Sequence, residues 1–397
     1  MSLASLSQQP PAPTVLEPAP PARRLLSLDA LRGFDMFWIV GGEEVVHALH
    51  KASPGGPLDL LEQQFTHKAW EGVAFYDLIF PLFVFIVGVS LVFSLSKTIA
   101  QSGKAVACRK VVVRSVLLYL LGIIYYGGLS KSVQDIRLLG VLQRIALCYL
   151  FTGLLFCLAR RRSGPADSGA VDRRNAAVRL GAVCAALLLG YWALMVFVPV
   201  PGTGAGHFEE GANLANYLDK QYLPFRKWDR DHDPEGLLST LPAIATCLLG
   251  VGAGLLLQSR LTDAKKVRCL IVAGAASLAL GFVWGLQFPI VKKLWTSSYV
   301  LVAGGYACLF LAGFYQVIEI WKFQKWAKPF VWIGMNPITI YLAWEFFPFG
   351  DIANRLVGGP VKAALGSFGE VLIPATALGL VLLLSWFLYH RKIFLRL

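Results

Sequence analysis

Residues 74–96 read AFYDLIFPLFVFIVGVSLVFSLS. A helix needs about 20 predominantly apolar residues to cross the hydrocarbon core of a bilayer, and this run supplies them with a single acid, Asp77, near its start. Working outward, comparable runs lie at 28–48, 111–129, 138–159, 178–199, 237–258, 267–286, 296–318, 329–348 and 370–390. The spacing predicts an all-α, polytopic membrane helix bundle with about ten transmembrane helices. Composition agrees: of 397 residues, 56% are hydrophobic and 15% charged, and the mean hydropathy is +0.59, too apolar for a soluble domain of this length.

The formal net charge of +13 raises nucleic acid as a partner, and the distribution of the charges argues against it. Lys and Arg fall alternately on two sets of loops, with about twice as many on one side, which is the orientation signal of cytoplasmic loops. Both termini are therefore expected in the cytoplasm, with the lipid bilayer as the surrounding partner. The lack of a cleavable signal suggests a bacterial inner membrane. Residues 1–24 are rich in Pro, Ala and Ser and predict a disordered cytoplasmic tail. Residues 25–397 then form a single transmembrane domain, with its longest outer loop at about 200–236. The seven cysteines are scattered through apolar runs without metal-ligand spacing, so neither a disulfide framework nor a metal site is expected.

Ionisable groups inside membrane spans are costly, and those retained tend to face a cavity or a partner. Asp29, Arg32 and Asp35 follow one face of the first run; a buried pair and a phosphate-binding role are both compatible with that spacing. Glu43 and Glu44 follow a Gly-Gly pair at its outer end. THKAWEG places His67, Trp70 and Glu71 just before the second run, and a histidine there takes and returns a proton near neutrality. Asp77 lies one turn before Pro81, whose ring is expected to open a kink and a water-lined space. In IRLLGVLQRIALCY, Arg137 and Arg144 share a face and Gln143 lies beside them; either a phosphate or Asp29, Asp35 or Asp77 would satisfy the arginines. DPEGLLST carries Asp233 and Glu235, and GMNPITIYLAWE carries Asn336, whose place before Pro337 argues for a helix interruption.

Taken together, SLDALRGFDMFW, THKAWEG with YDLIFPLFVFIVGVS, IRLLGVLQRIALCY, DPEGLLSTLPAI, LWTSSYVL and GMNPITIYLAWE resemble the heparan-alpha-glucosaminide N-acetyltransferase family and its bacterial relatives, in that family's order. The resemblance implies an acyltransferase that moves the acetyl group of cytosolic acetyl-CoA to the amino group of a sugar across the membrane, with His67 as the active-site histidine. Where the family's animal member has an asparagine associated with the active site, this chain aligns with Glu43 or Glu44. On that reading Asp77, Glu71 or Glu235 orients the imidazole. Gln143, Asn336 or Arg144 faces the thioester oxygen, and Arg32 or Arg144 lies along the path of CoA. The amino-sugar acceptor is expected among Trp70, Glu43, Glu44, Asp233 and Glu235. Direct transfer and an acetyl-imidazole intermediate are both compatible with these residues. The sequence also leaves room for a homodimer, and the competing class is an amino-sugar permease without acyl transfer.

Overall fold

In the computed structural model the described residues are 25–395 apart from 129, 131 and 161–167; the tail expected at 1–24 lies outside them. The described residues are helical throughout, joined by turns and three isolated β-bridges. In chain order the helices are α1 (Leu26–Phe37), α2 (Glu43–Ala52), α3 (Pro57–Phe65), α4 (Ile79–Tyr125), α5 (Val141–Ala159), α6 (Ser168–Phe197), α7 (Leu214–Tyr222), α8 (Thr240–Leu257), α9 (Asp263–Gly285), α10 (Ser297–Tyr315), α11 (Lys328–Met335), α12 (Pro337–Phe346), α13 (Phe349–Val357), α14 (Pro360–Ala364) and α15 (Gly369–His390). Among the described residues seven helical stretches are long and apolar enough to cross a membrane. The protein is an integral membrane protein.

The apolar runs of the sequence all fall on helix. The runs at 74–96 and 111–129 both lie within the range of α4, but Gly103 (φ 84°), in a conformation that side chains with a Cβ resist, breaks it into two rods, and Lys110 Nζ lies 3.3 Å from Ser94 Oγ, so the second rod folds back on the first. The runs at 28–48 and 329–348 are interrupted instead of continuous. A π-type turn at Trp38–Gly42, with Val40 at φ −102°, ψ 41°, separates α1 from α2. Asn336 (φ −133°, ψ 46°) separates α11 from α12, because Pro337 opens α12 and disfavours helical backbone in the residue before it. Pro81, by contrast, makes no kink. It sits in the first turn of α4, where the missing N–H would have had no intrahelical partner anyway.

Lipid supplies no hydrophobic force between helices, so close backbone contact at small residues does much of the packing. A Cβ on Gly33 of α1 would overlap the Phe330 carbonyl of α11, and one on Gly334 would overlap the Asp29 carbonyl. Gly88 of α4 and Gly250 of α8 meet the carbonyls of Cys247 and Phe85 in the same reciprocal way. These two contacts fix α1 on α11 and α4 on α8, and the row of cavities described next runs between them. Residues 198–239 fold over one end of the bundle as a cap containing α7, with Tyr191, Val200, Leu214, Phe288 and Leu294 in its own small core.

Candidate active site

The segment between α3 and the 3₁₀ turn Phe75–Leu78 has no helix of its own and is held by its neighbours. Gly72 N–H donates to the Ile290 carbonyl (2.9 Å), Glu71 bridges to Val291, and Trp70 Nε1 donates to the Phe208 carbonyl (2.9 Å). Trp70 therefore anchors the cap, and Glu71 ties the segment to the α9–α10 turn; the acidic partner of His67 is another residue, Asp77. Its side chain is 1% exposed, and it accepts from His67 Nδ1 at 2.7 Å, from Ala74 N–H at 3.0 Å and from Lys68 N–H at 3.3 Å. An ionised acceptor there requires Nδ1 to carry the proton, which leaves Nε2 with the lone pair that can act as a base. The imidazole is half-exposed and stacks on Tyr76 with ring centroids 4.8 Å apart, while the Tyr76 hydroxyl bonds Glu43.

His67 faces a chamber of about 400 Å³ whose lining includes Tyr76, Arg137, Trp228, Glu235, Lys292 and Tyr341. Ile39, Phe80, Val141 and Tyr341 belong both to this chamber and to a constricted apolar waist of about 20 Å³. Phe83, Ile145 and Ile338 of the waist in turn line a vestibule of about 370 Å³ at the other end, with Arg32, Ser90, Ser94, Lys110 and Arg114. Chamber, waist and vestibule thus follow one another with shared walls: polar at the histidine end, apolar in the middle and basic at the far end. Arg32 donates to Ser90 Oγ (2.7 Å) and the Gly334 carbonyl (3.2 Å) and lies 3.6 Å from Asp29, so its pairing face and its cavity face are the same. Arg114 lies over the Tyr149 ring at 4.9 Å.

The structure places the remaining sequence candidates as follows. Arg137 pairs with neither Asp29, Asp35 nor Asp77. It forks onto Asp233 (2.9 and 2.6 Å) and reaches Glu235 (2.6 Å), between the Tyr126 and Trp228 rings. Burial opposes its charge, but the two carboxylates outweigh burial and raise its pKa further above the ordinary arginine value. Asp233 and Glu235 are thus engaged with Arg137, and only Glu235 lines the chamber with it. Arg144 is fully buried over Trp295, bonded to Ser239 Oγ (2.5 Å) and the Gly236 carbonyl (3.3 Å), behind the chamber wall. Gln143 donates to the Arg137 carbonyl (3.1 Å). Asn336 clamps the C-terminal segment through the Ile393 carbonyl (2.9 Å) and Leu395 N–H (3.1 Å), which sets Leu395 at the vestibule. Glu43 lies 3.3 Å from His47, and Glu44 is exposed. Among the described residues Glu210, Asp229 and His232 bring ligand atoms within 4.8 Å of one another, but Lys293 Nζ lies 2.8 Å from Asp229 and 3.3 Å from Glu210 and supplies the cation itself.

Two groups of residues escaped the sequence reading. Lys110 and Arg114 counted only as orientation charges. Lys292, two residues before LWTSSYVL, counted as a loop charge, yet its Nζ lies 3.0 Å from His67 Nδ1.

The class defined by fold and site is a polytopic membrane helix bundle carrying a His–Asp dyad at one end of a row of cavities that is basic at the other. Residues 24–165 match the sequence model of heparan-alpha-glucosaminide N-acetyltransferase, catalytic. The chain is 30% identical over 379 residues to the heparan-alpha-glucosaminide N-acetyltransferase of Mus musculus, covering 83% of this chain and 56% of that protein. It is 28% identical over 440 residues to that of Homo sapiens, covering 97% and 61%. The chain therefore spans less than two thirds of the length of these relatives. By these matches it is similar to the heparan-alpha-glucosaminide N-acetyltransferase family.

Proposed function

We propose that this protein is an acetyltransferase that takes the acetyl group of acetyl-CoA at the basic vestibule and delivers it, at His67, to the amino group of a sugar in the chamber. The observation that carries this reading is the order of the cavities, because the basic vestibule and the chamber at His67 each share wall residues with the same apolar waist. Arg32, Lys110 and Arg114 suit the phosphates of CoA, being guanidinium and ammonium donors around a polar cavity. The waist suits the uncharged pantetheine arm. By the distribution of loop charges the vestibule faces the cytosol and the chamber faces the outside, in a bacterial cytoplasmic membrane.

Asp77 holds the Nδ1 proton of His67, and Nε2 receives a proton from the acceptor nitrogen as that nitrogen attacks the thioester carbonyl. This assigns direct transfer, with the acceptor and the thioester meeting beside one base. Glucosamine-type sugars are the substrate class, by the names of the relatives. The test is thiol release from acetyl-CoA by membranes containing the protein, with a panel of amino sugars and their N-acetylated counterparts. Release that requires a free amine supports the reading. Uptake of labelled amino sugar with no dependence on acetyl-CoA would replace it with a permease.

The vestibule makes a separate prediction. Arg114→Gln is expected to raise KM for acetyl-CoA about tenfold, the order of one charge-assisted hydrogen bond to phosphate, with kcat little changed. The difference from wild type should shrink as salt is raised, since the vestibule is open to solvent. Steady-state kinetics at two ionic strengths checks both parts.

A further inference from the structure

Lys292 is 225 residues from His67 in sequence, and the Gly72–Ile290 and Glu71–Val291 backbone contacts hold its turn against the THKAWEG segment. Its Nζ lies 3.0 Å from His67 Nδ1, 3.2 Å from Nε2 and 3.3 Å from Asp77 Oδ1. An ammonium at that distance opposes a second positive charge on the imidazole, just as Asp77 favours one. We propose that Lys292 is a positioning residue that offsets Asp77, so that His67 waits as the uncharged base while Asp77 still fixes its tautomer.

This proposal rests on the acetyl-transfer reading. In that reaction the acceptor ammonium loses two protons in all: one leaves to solvent by way of His67 before attack. The N–C bond then forms, the second proton passes from nitrogen through the imidazole to sulfur as the C–S bond breaks, and N-acetyl product and CoA thiol result. Each transfer needs an uncharged ring at its start. A dyad with Asp77 alone would hold its proton more tightly in acid.

The other groups around the ring are accounted for. Tyr76 covers one face with its hydroxyl on Glu43, and Lys68 contributes its backbone N–H to Asp77. Lys293 is turned to Glu210 and Asp229. Burial lowers the pKa of Lys292 below the ordinary lysine range, against the pull of Asp77, Glu235 and Glu43. Those carboxylates favour its ammonium form against burial.

The experiment measures kcat/KM for thiol release from acetyl-CoA with glucosamine, between about pH 5 and about pH 9, for wild type, Lys292→Met, Lys292→Arg and Asp77→Asn. Lys292→Met should move the acid limb upward by about one pH unit, Lys292→Arg should return it toward wild type, and Asp77→Asn should move it the opposite way. A Lys292→Met profile scaled down equally at every pH, or unshifted, overturns the proposal. Should Lys292→Met fail to fold, Lys292→Gln, which removes the charge and keeps a polar end, decides it by the same limb. The pH midpoint of diethyl pyrocarbonate modification of His67, which only the uncharged ring undergoes, reports the same shift without turnover. Thus a wild type that releases no thiol refutes the acetyl-transfer reading alone, and an unshifted modification midpoint in Lys292→Met refutes the role of Lys292 alone.

Discussion

His67→Ala is expected to lower thiol release from acetyl-CoA by roughly a thousandfold, within the range that a positioned general base contributes, while CoA still binds. The two parts separate because the cavities separate them: the histidine stands at the chamber end and the basic vestibule at the other. The attacking nitrogen is a nucleophile only after it loses a proton, and Nε2 is the lone pair that Asp77 leaves free. His67→Gln keeps a neutral polar side chain of similar size in the same place but accepts no proton, so it should be nearly as slow as alanine. A glutamine variant close to wild type would mean that the ring serves only to position its neighbours. Equilibrium binding of CoA beside single-turnover thiol release makes the comparison. Retained transfer in both variants would remove His67 from the chemistry.

Why the dyad was legible and its third partner was not follows from sequence distance. His67 and Asp77 are ten residues apart, within one motif and at the edge of one apolar run, so the reading could place an acid beside an imidazole. Lys292 comes from a turn more than two hundred residues on, and nothing in a loop charge says which segment it will touch. Arg137 fails for the related reason that a hydropathy reading offers partners within the spans, whereas Asp233 and Glu235 come from the cap. Helices were legible wherever apolar length decides the matter. The break at Trp38–Gly42 was not, since it interrupts a run whose hydropathy does not change, whereas Gly103 falls in the polar stretch between two runs. Asn336–Pro337 is the exception, because proline constrains the backbone whatever surrounds it. The row of cavities lies beyond any such reading, since α1, α4, α5, α11 and α12 meet around it only after Gly33, Gly88, Gly250 and Gly334 have let backbones touch.

The second large effect falls on the cap. Arg137→Met should destabilise the fold of residues 198–239 by about 3–5 kcal/mol, the usual cost of removing one partner of a buried ion pair. Asp233, fully buried, and Glu235 would keep their charge with no cation in reach of both. The expected result is faster limited proteolysis of the cap and a raised KM for the amino sugar, with CoA binding at the vestibule unchanged. Replacing all three groups together, Arg137→Met with Asp233→Asn and Glu235→Gln, should recover much of the loss, because the penalty belongs to the stranded charges. The pH dependence has a definite sign. Burial raises Glu235, and burial raises Asp219 to about 6 despite the N–H groups of Leu237 and Asp233 that bind its oxygens. A carboxyl raised on folding contributes stability that is fully present below its unfolded value and is lost as pH rises through the folded one. The cap should therefore become more resistant to proteolysis as pH falls from about 7 to about 5, opposite to a fold held by carboxylates of depressed pKa. In Arg137→Met, Glu235 loses the opposite charge that pulls it down, so the variant should recover more than wild type over the same interval. A deficit that grows in acid would show that Arg137 is replaceable, and that something other than its carboxylate pair holds the cap.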